Sequence, residues 1–161
     1  MKIEEHIKEL VRSKKTLFVC MGNLLRGDDG IGSYICHKIL EIKQCDNILI
    51  VGSYLENALG KIIEKRPKNI IFIDAVHTDS EEGTIIFKKI NNDDFAKNYP
   101  LTTHSIPFPL LLKFIKNELR DVEFYLLGIC ASHTSIGNSI CSKVKESGEA
   151  LFRFLSKEIV C

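Results

Sequence analysis

The sequence predicts an α/β fold: a single three-layer α/β/α sandwich built on a mixed, mainly parallel five-stranded sheet. Two observations lead there. The run Thr16-Leu-Phe-Val-Cys20 is continuous, apolar and rich in β-formers, the mark of a strand covered on both faces. After it, helical and strand-like segments alternate in a repeated unit, and alternating strands and helices pack as a parallel sheet between two helical layers.

Residues 3–11 carry apolar side chains at 3, 7, 10 and 11, a one-sided helical stripe ended by Ser13-Lys14-Lys15. Four glycines between residues 22 and 32 break regular structure after the first strand, and Ile31, Ile35, Ile39, Leu40 and Ile42 then recur at helical spacing. The unit repeats as a strand at 47–51, a loop at 52–56, a helix at 57–65 and a strand at 69–74, with Pro67 before the third strand. The strand expected at 83–89 follows too soon for a crossover helix, so it is predicted antiparallel. Residues 91–106 are polar, with room for a short helix at 93–98; a helix at 110–119, an inner strand at 123–129 and a closing helix at 139–159 complete the order.

At ~150 residues per domain, 161 residues make one domain, 1–161. With 45% hydrophobic and 27% charged residues the chain can bury a core and is not a disordered polyampholyte. Twenty-two Lys and Arg against 21 Asp and Glu leave +1, which favours neither nucleic acid nor an anionic membrane. No apolar run approaches the ~20 residues of a membrane span, and the charged N-terminus lacks the apolar stretch of a secretory signal, so a cytoplasmic protein is expected. The six cysteines form no Cys-x-x-Cys pair, and reduced thiols are expected over a disulfide or metal framework.

Sites in parallel sheets lie at the carboxyl ends of strands. The loop Gly22-Asn-Leu-Leu-Arg-Gly27-Asp28-Asp29-Gly30-Ile-Gly32 stands where nucleotide-binding folds hold phosphate. Asp28 and Asp29 take the places of the Lys and Ser or Thr of a P-loop, and the Gly-x-Gly-x-x-Gly spacing is absent. Such a loop can hold a cation or aim a carboxylate. One Asp can cap the following helix while its neighbour stays free, and Asp29, nearer the helix, is the candidate for the free one.

Asp74 ends the apolar strand Ile70-Ile-Phe-Ile-Asp74, where a charge is costly unless paired or functional. His104, in the polar loop Thr102-Thr-His104-Ser-Ile-Pro107, adds an imidazole. Two carboxylates and one imidazole make a facial set suited to nickel, zinc, manganese or iron. Of the other histidines only His133 falls near a strand end, and it is not expected to take part. No Gly-x-Ser-x-Gly elbow and no Cys–His nucleophile setting occurs.

The blocks 22–32, Gly52-Ser-Tyr-Leu-Glu-Asn57, Asp74-Ala75, Gly83-Thr-Ile85 and Thr102-Thr-His-Ser-Ile-Pro107, taken together and in order, resemble the hydrogenase maturation endopeptidases, in particular the type that processes the hydrogenase 3 large subunit. The resemblance runs from about residue 16 to 128, the first block being the most specific. It implies a protease that removes a short C-terminal extension from a nickel–iron hydrogenase large-subunit precursor once nickel is inserted. The family's nickel-recognising residues match Asp29, Asp74 and His104, and the nickel is expected to arrive on the substrate, without an organic cofactor. For the chemistry itself, Asp28 or Asp29 is expected to serve as general base. A monomer acting on that one protein partner is expected. The loop after Gly128 matches no family motif. Two other readings fit the same trio: an assembly factor that senses metal without cutting, and a metallohydrolase of small molecules.

Overall fold

The computed structural model describes residues 3–91 and 106–161. His104 and the short helix expected at 93–98 lie outside them. In chain order the elements are α1 (Ile3–Arg12), β1 (Thr16–Met21), a 3-10 turn (Leu24–Gly30), α2 (Ile31–Ile42), β2 (Ile48–Gly52), a second 3-10 turn (Leu55–Ala58), α3 (Leu59–Lys65), β3 (Asn69–Val76), β4 (Ile85–Ile90), α4 (Phe108–Glu118), β5 (Glu123–Cys130) and α5 (Ser142–Glu158).

The strands form one sheet in the order β2-β1-β3-β5-β4. β1 pairs in parallel with both β2 and β3, and β3 in parallel with β5; β4 runs antiparallel to β5 at the edge. The short gap before β4 therefore does what the sequence predicts. β1 is buried along its whole length and β4 is exposed or half-buried everywhere except at Ile90, as an inner and an edge strand should be.

Side chains that alternate along a strand face opposite helical layers. Phe18, Cys20, Ile71, Ile73, Tyr125 and Leu127 pack beneath α1, α2 and α5. Leu17, Val19, Phe72, Phe124 and Leu126 pack under α3 and α4, where Phe72 meets Phe108 edge-on, ring centroids 5.0 Å apart. α4 begins two residues earlier than predicted, because Pro107 caps it and Pro109 stands in its first turn, where a missing N–H costs nothing. α5 begins at Ser142 instead of 139, leaving residues 131–141 as a loop that packs on the site. Among the described residues no helix is long and apolar enough to cross a membrane.

The expectation of reduced cysteines is corrected. Cys20 is bonded to Cys36 and Cys45 to Cys161, while Cys130 and Cys141 are free thiols. The cause is packing that composition does not show. Cys20 faces the layer of α2, whose Cys36 points back at the sheet, with Cα atoms 6.3 Å apart. Cys45 and Cys161 follow α2 and α5, helices that pack on one another, and bring their Cα atoms to 4.7 Å.

Candidate active site

The chain leaves β1 toward β2 on one side and returns through β3 on the other, so the strand order reverses between β1 and β3. That switch point opens a crevice at the carboxyl ends of the strands. β3 runs on to Val76, two residues beyond the predicted end, but its pairing with β1 stops at Cys20↔Ile73. Asp74 is the first residue of β3 with no β1 partner, while still paired with Gly128 of β5. It is fully buried; its Oδ1 accepts the Ala75 N–H at 2.8 Å, and its Oδ2 meets no hydrogen-bond partner among the described residues.

The first loop supplies the facing carboxylate. Gly22 leaves β1 with φ +118° and its backbone N–H donates to Gly52 O at 2.9 Å, which ties the loop to the end of β2. A side chain at Gly22 would strike the Asp29 carbonyl, so only glycine lets the chain turn back this tightly. Asn23 caps the 3-10 turn through its own side chain, and its N–H donates to Asp29 Oδ2 at 2.8 Å. Asp29 is 3% exposed. Burial first, and then the Asp29 charge, hold the Asp74 carboxyl well above the usual carboxylate range, against a smaller opposite pull from the Ala75 N–H. Two carboxylates, one from the first loop and one from β3, thus converge at the switch point, as their positions in the sequence predict.

Asp28 does something else. It is fully buried, its Oδ1 accepts the Cys141 N–H at 2.7 Å and its Oδ2 the His133 N–H at 3.2 Å. Asp28 N–H in turn donates to His133 O at 2.9 Å, Gly137 N–H to Leu25 O at 2.9 Å, and Arg26 Nε–H to Thr134 O at 3.1 Å. A carboxylate occupied by two backbone donors holds the 131–141 loop in place, so this geometry lends no support to Asp28 as general base. The division expected from the sequence, one Asp structural and Asp29 freer, matches these partners. Sequence reasoning set His133 aside and left Glu82 unmentioned. His133 Nδ1 lies 2.8 Å from Glu82 Oε1, which also accepts the Ser132 hydroxyl at 2.7 Å. The Ser132, Cys141 and His133 hydrogen bonds hold the Glu82 carboxyl down at about 2, and burial pushes the Cys141 thiol up. Contacts spanning 50 to 113 residues build this cluster; the only local signal was that His133 follows a strand end.

The buried state of Asp74 has a measurable consequence for stability. In the unfolded chain Asp74 ionises near ~3.9, whereas in the folded chain it must ionise against burial and the Asp29 charge. Below that pH both states are protonated and Asp74 has no net effect. Above it the unfolded state gains, and stability falls until the raised folded value is passed. Asp74→Asn is therefore expected to stabilise the chain by about 0.5–2 kcal/mol at pH 7, with the gain vanishing below about pH 4. Urea unfolding of both proteins at pH 7 and pH 3.5 checks this; an equal gain at both would contradict it.

Comparison with known proteins agrees with the fold. The HycI family model, described as hydrogenase maturation protease, matches residues 35–158. A Methanocaldococcus jannaschii protein named as a hydrogenase maturation protease is 33% identical over 122 residues, covering 73% of this chain and 77% of that one. The Hydrogenase 3 maturation protease of Escherichia coli K12 is 29% identical over 140 residues, 86% of this chain and 87% of that one. The crystal structure of the NiFe hydrogenase maturation protease HycI from Thermococcus kodakarensis KOD1 superposes with a TM-score of 0.79 over 96% of this chain and 98% of that one, at 22% identity, a likeness of fold. The crystal structure of the Hydrogenase 3 maturation protease superposes at 0.70, over 87% and 88% of the two chains, at 27% identity.

Fold and likenesses together define a peptide-bond hydrolase of the α/β sandwich class. The chain belongs to the hydrogenase maturation protease family.

Proposed function

We propose that this endopeptidase removes the C-terminal extension of a nickel–iron hydrogenase large-subunit precursor after nickel insertion, and that it recognises the nickel held by the substrate through Asp29, Asp74 and His104. The observation that carries the reading is the Asp74 carboxylate: buried, with one oxygen unpartnered among the described residues and with the like charge of Asp29 beside it. A site that sets two carboxylates against each other out of water is costly by itself and becomes favourable when a cation enters. An ion that arrives on the precursor gives the site affinity for loaded substrate alone.

A cation seated there supplies charge for the oxyanion that develops at the scissile carbonyl and acidifies an attacking water. Asp29, whose Oδ2 accepts the Asn23 N–H, takes the proton of that water and passes it to the leaving amine. Asp74 anchors the ion from the rigid centre of the sheet. Leu24, Leu25 and Ile136, exposed at 50%, 73% and 77%, rim the loops beside the crevice and offer an apolar surface to a protein substrate.

The test mixes purified protein with nickel-loaded and nickel-free precursor and follows the mass of the large subunit. Loss of the C-terminal peptide from the loaded precursor alone is expected. Equal cleavage of both overturns nickel recognition. A stable complex of unchanged mass indicates a sensing factor that does not cut, and tight metal in the isolated enzyme that Asp29→Asn/Asp74→Asn abolishes indicates a small-molecule metallohydrolase.

A further inference from the structure

Asp28, Glu82, His133 and Cys141 each bring one potential ligand atom into a single cluster, and these atoms all lie within 4.8 Å of one another. They come from three segments of the chain: the first loop, the turn before β4, and the two ends of the 131–141 loop between β5 and α5. We propose that these four side chains form a second metal site, distinct from the Asp29–Asp74 crevice, which takes a divalent transition ion of the zinc class and fastens the 131–141 loop to the first loop.

The donor set is one thiolate, one imidazole and two carboxylates. That combination suits a tetrahedral zinc-type ion and is poorly suited to magnesium or calcium, which demand oxygen alone. Metal–donor bonds of about 2.0–2.3 Å set tetrahedral edges of roughly 3.3–3.7 Å. Asp28 Oδ2 and His133 Nδ1 already stand 3.7 Å apart. Glu82 Oε1 and His133 Nδ1, now hydrogen-bonded at 2.8 Å, separate by about half an ångström as the ion takes the place of their shared proton.

The surrounding shell is of the kind that ligating groups use. Asp28 is aimed by the Cys141 and His133 backbone N–H groups, and each of its oxygens keeps a further lone pair for a metal. Ser132 donates to Glu82 and fixes its carboxylate. On binding, the Cys141 thiol gives its proton to solvent and the sulfur bonds the ion; no electron is transferred. Cys141 is one of two free thiols, the other being Cys130, buried and 3.0 Å from the Thr78 hydroxyl. A thiolate signal can therefore be traced to one residue.

The probe is Co²⁺ alone, titrated into the purified, metal-free, disulfide-intact chain and then displaced by Zn²⁺. One ion per chain is expected, with intense tetrahedral d–d bands and a sulfur-to-cobalt charge-transfer band that Zn²⁺ abolishes. Cys141→Ser, nearly isosteric, is expected to remove the charge-transfer band while its circular dichroism stays that of the parent. Glu82→Gln and His133→Ala are each expected to weaken Zn²⁺ binding by at least about tenfold, whereas the Asp29→Asn/Asp74→Asn double variant and Cys130→Ser keep the band. Absence of the band in the parent chain overturns the proposal, as does a band that survives Cys141→Ser or is lost only with the crevice carboxylates.

Discussion

Asp29→Asn is expected to lower the rate of processing of nickel-loaded precursor by about a hundredfold to a thousandfold while leaving the fold intact, the scale of losing one preorganised electrostatic contact at a reacting centre. The substitution preserves shape. The Asn carbonyl oxygen still accepts the Asn23 N–H that now falls on Asp29 Oδ2, so the turn keeps its closure. What disappears is the negative charge that the incoming cation meets and the basicity that moves the proton of water. The adjacent change is the control that separates role from position. Asp28→Asn sets an amide NH₂ against one of the two backbone N–H groups from His133 and Cys141, so it loosens the 131–141 loop and costs about 1–3 kcal/mol of stability. Processing rates by mass spectrometry and urea midpoints of both variants measure the contrast. A stable Asp29→Asn protein that cleaves at the parental rate would withdraw Asp29 from the chemistry.

That neighbouring aspartates have opposite parts was half legible in the sequence. Two carboxylates at the mouth of a helix suggest that one is structural, and position favours Asp29 as the other, but the partners of Asp28 lie 105 and 113 residues away in the chain. Local spacing carries no trace of such contacts. The sheet was legible because its inner strands are covered on both faces and must be apolar throughout, and β4 was readable as antiparallel from the shortness of its connection. Asp74 stood out because a charge closing an apolar run is anomalous, although β3 continues two residues past it; the strand's end and the end of its pairing with β1 are different events. The cysteine pairs were not legible. Cys20 and Cys36 lie in apolar patterns that suit a thiol and a disulfide equally, and only the packing of α2 on the sheet distinguishes them.

Gly32→Ala is expected to lower stability by about 2–3 kcal/mol, which for a chain of this size is a fall of roughly 5–10 °C in Tm, and to stop processing as well. Gly32 is the second residue of α2, buried where the helix comes down onto the switch point. A methyl group there would run into the carbonyl oxygens of Ile73 and Met21, which are backbone atoms of β3 and β1 and cannot rotate aside. The helix must lift, and lifting it carries the 3-10 turn that bears Asp29 away from the strand that bears Asp74. One added carbon thus couples fold and function through a stated geometry. Gly60→Ala in α3 is the opposite case. A methyl at that position meets nothing, and alanine in a helix is expected to add about 0.4–1 kcal/mol by restricting the unfolded chain. Thermal melts and processing assays on the two alanine variants therefore differ in sign for stability and in presence or absence for cleavage. A Gly32→Ala protein that melts with the parent would show that α2 does not set the spacing of the two carboxylates.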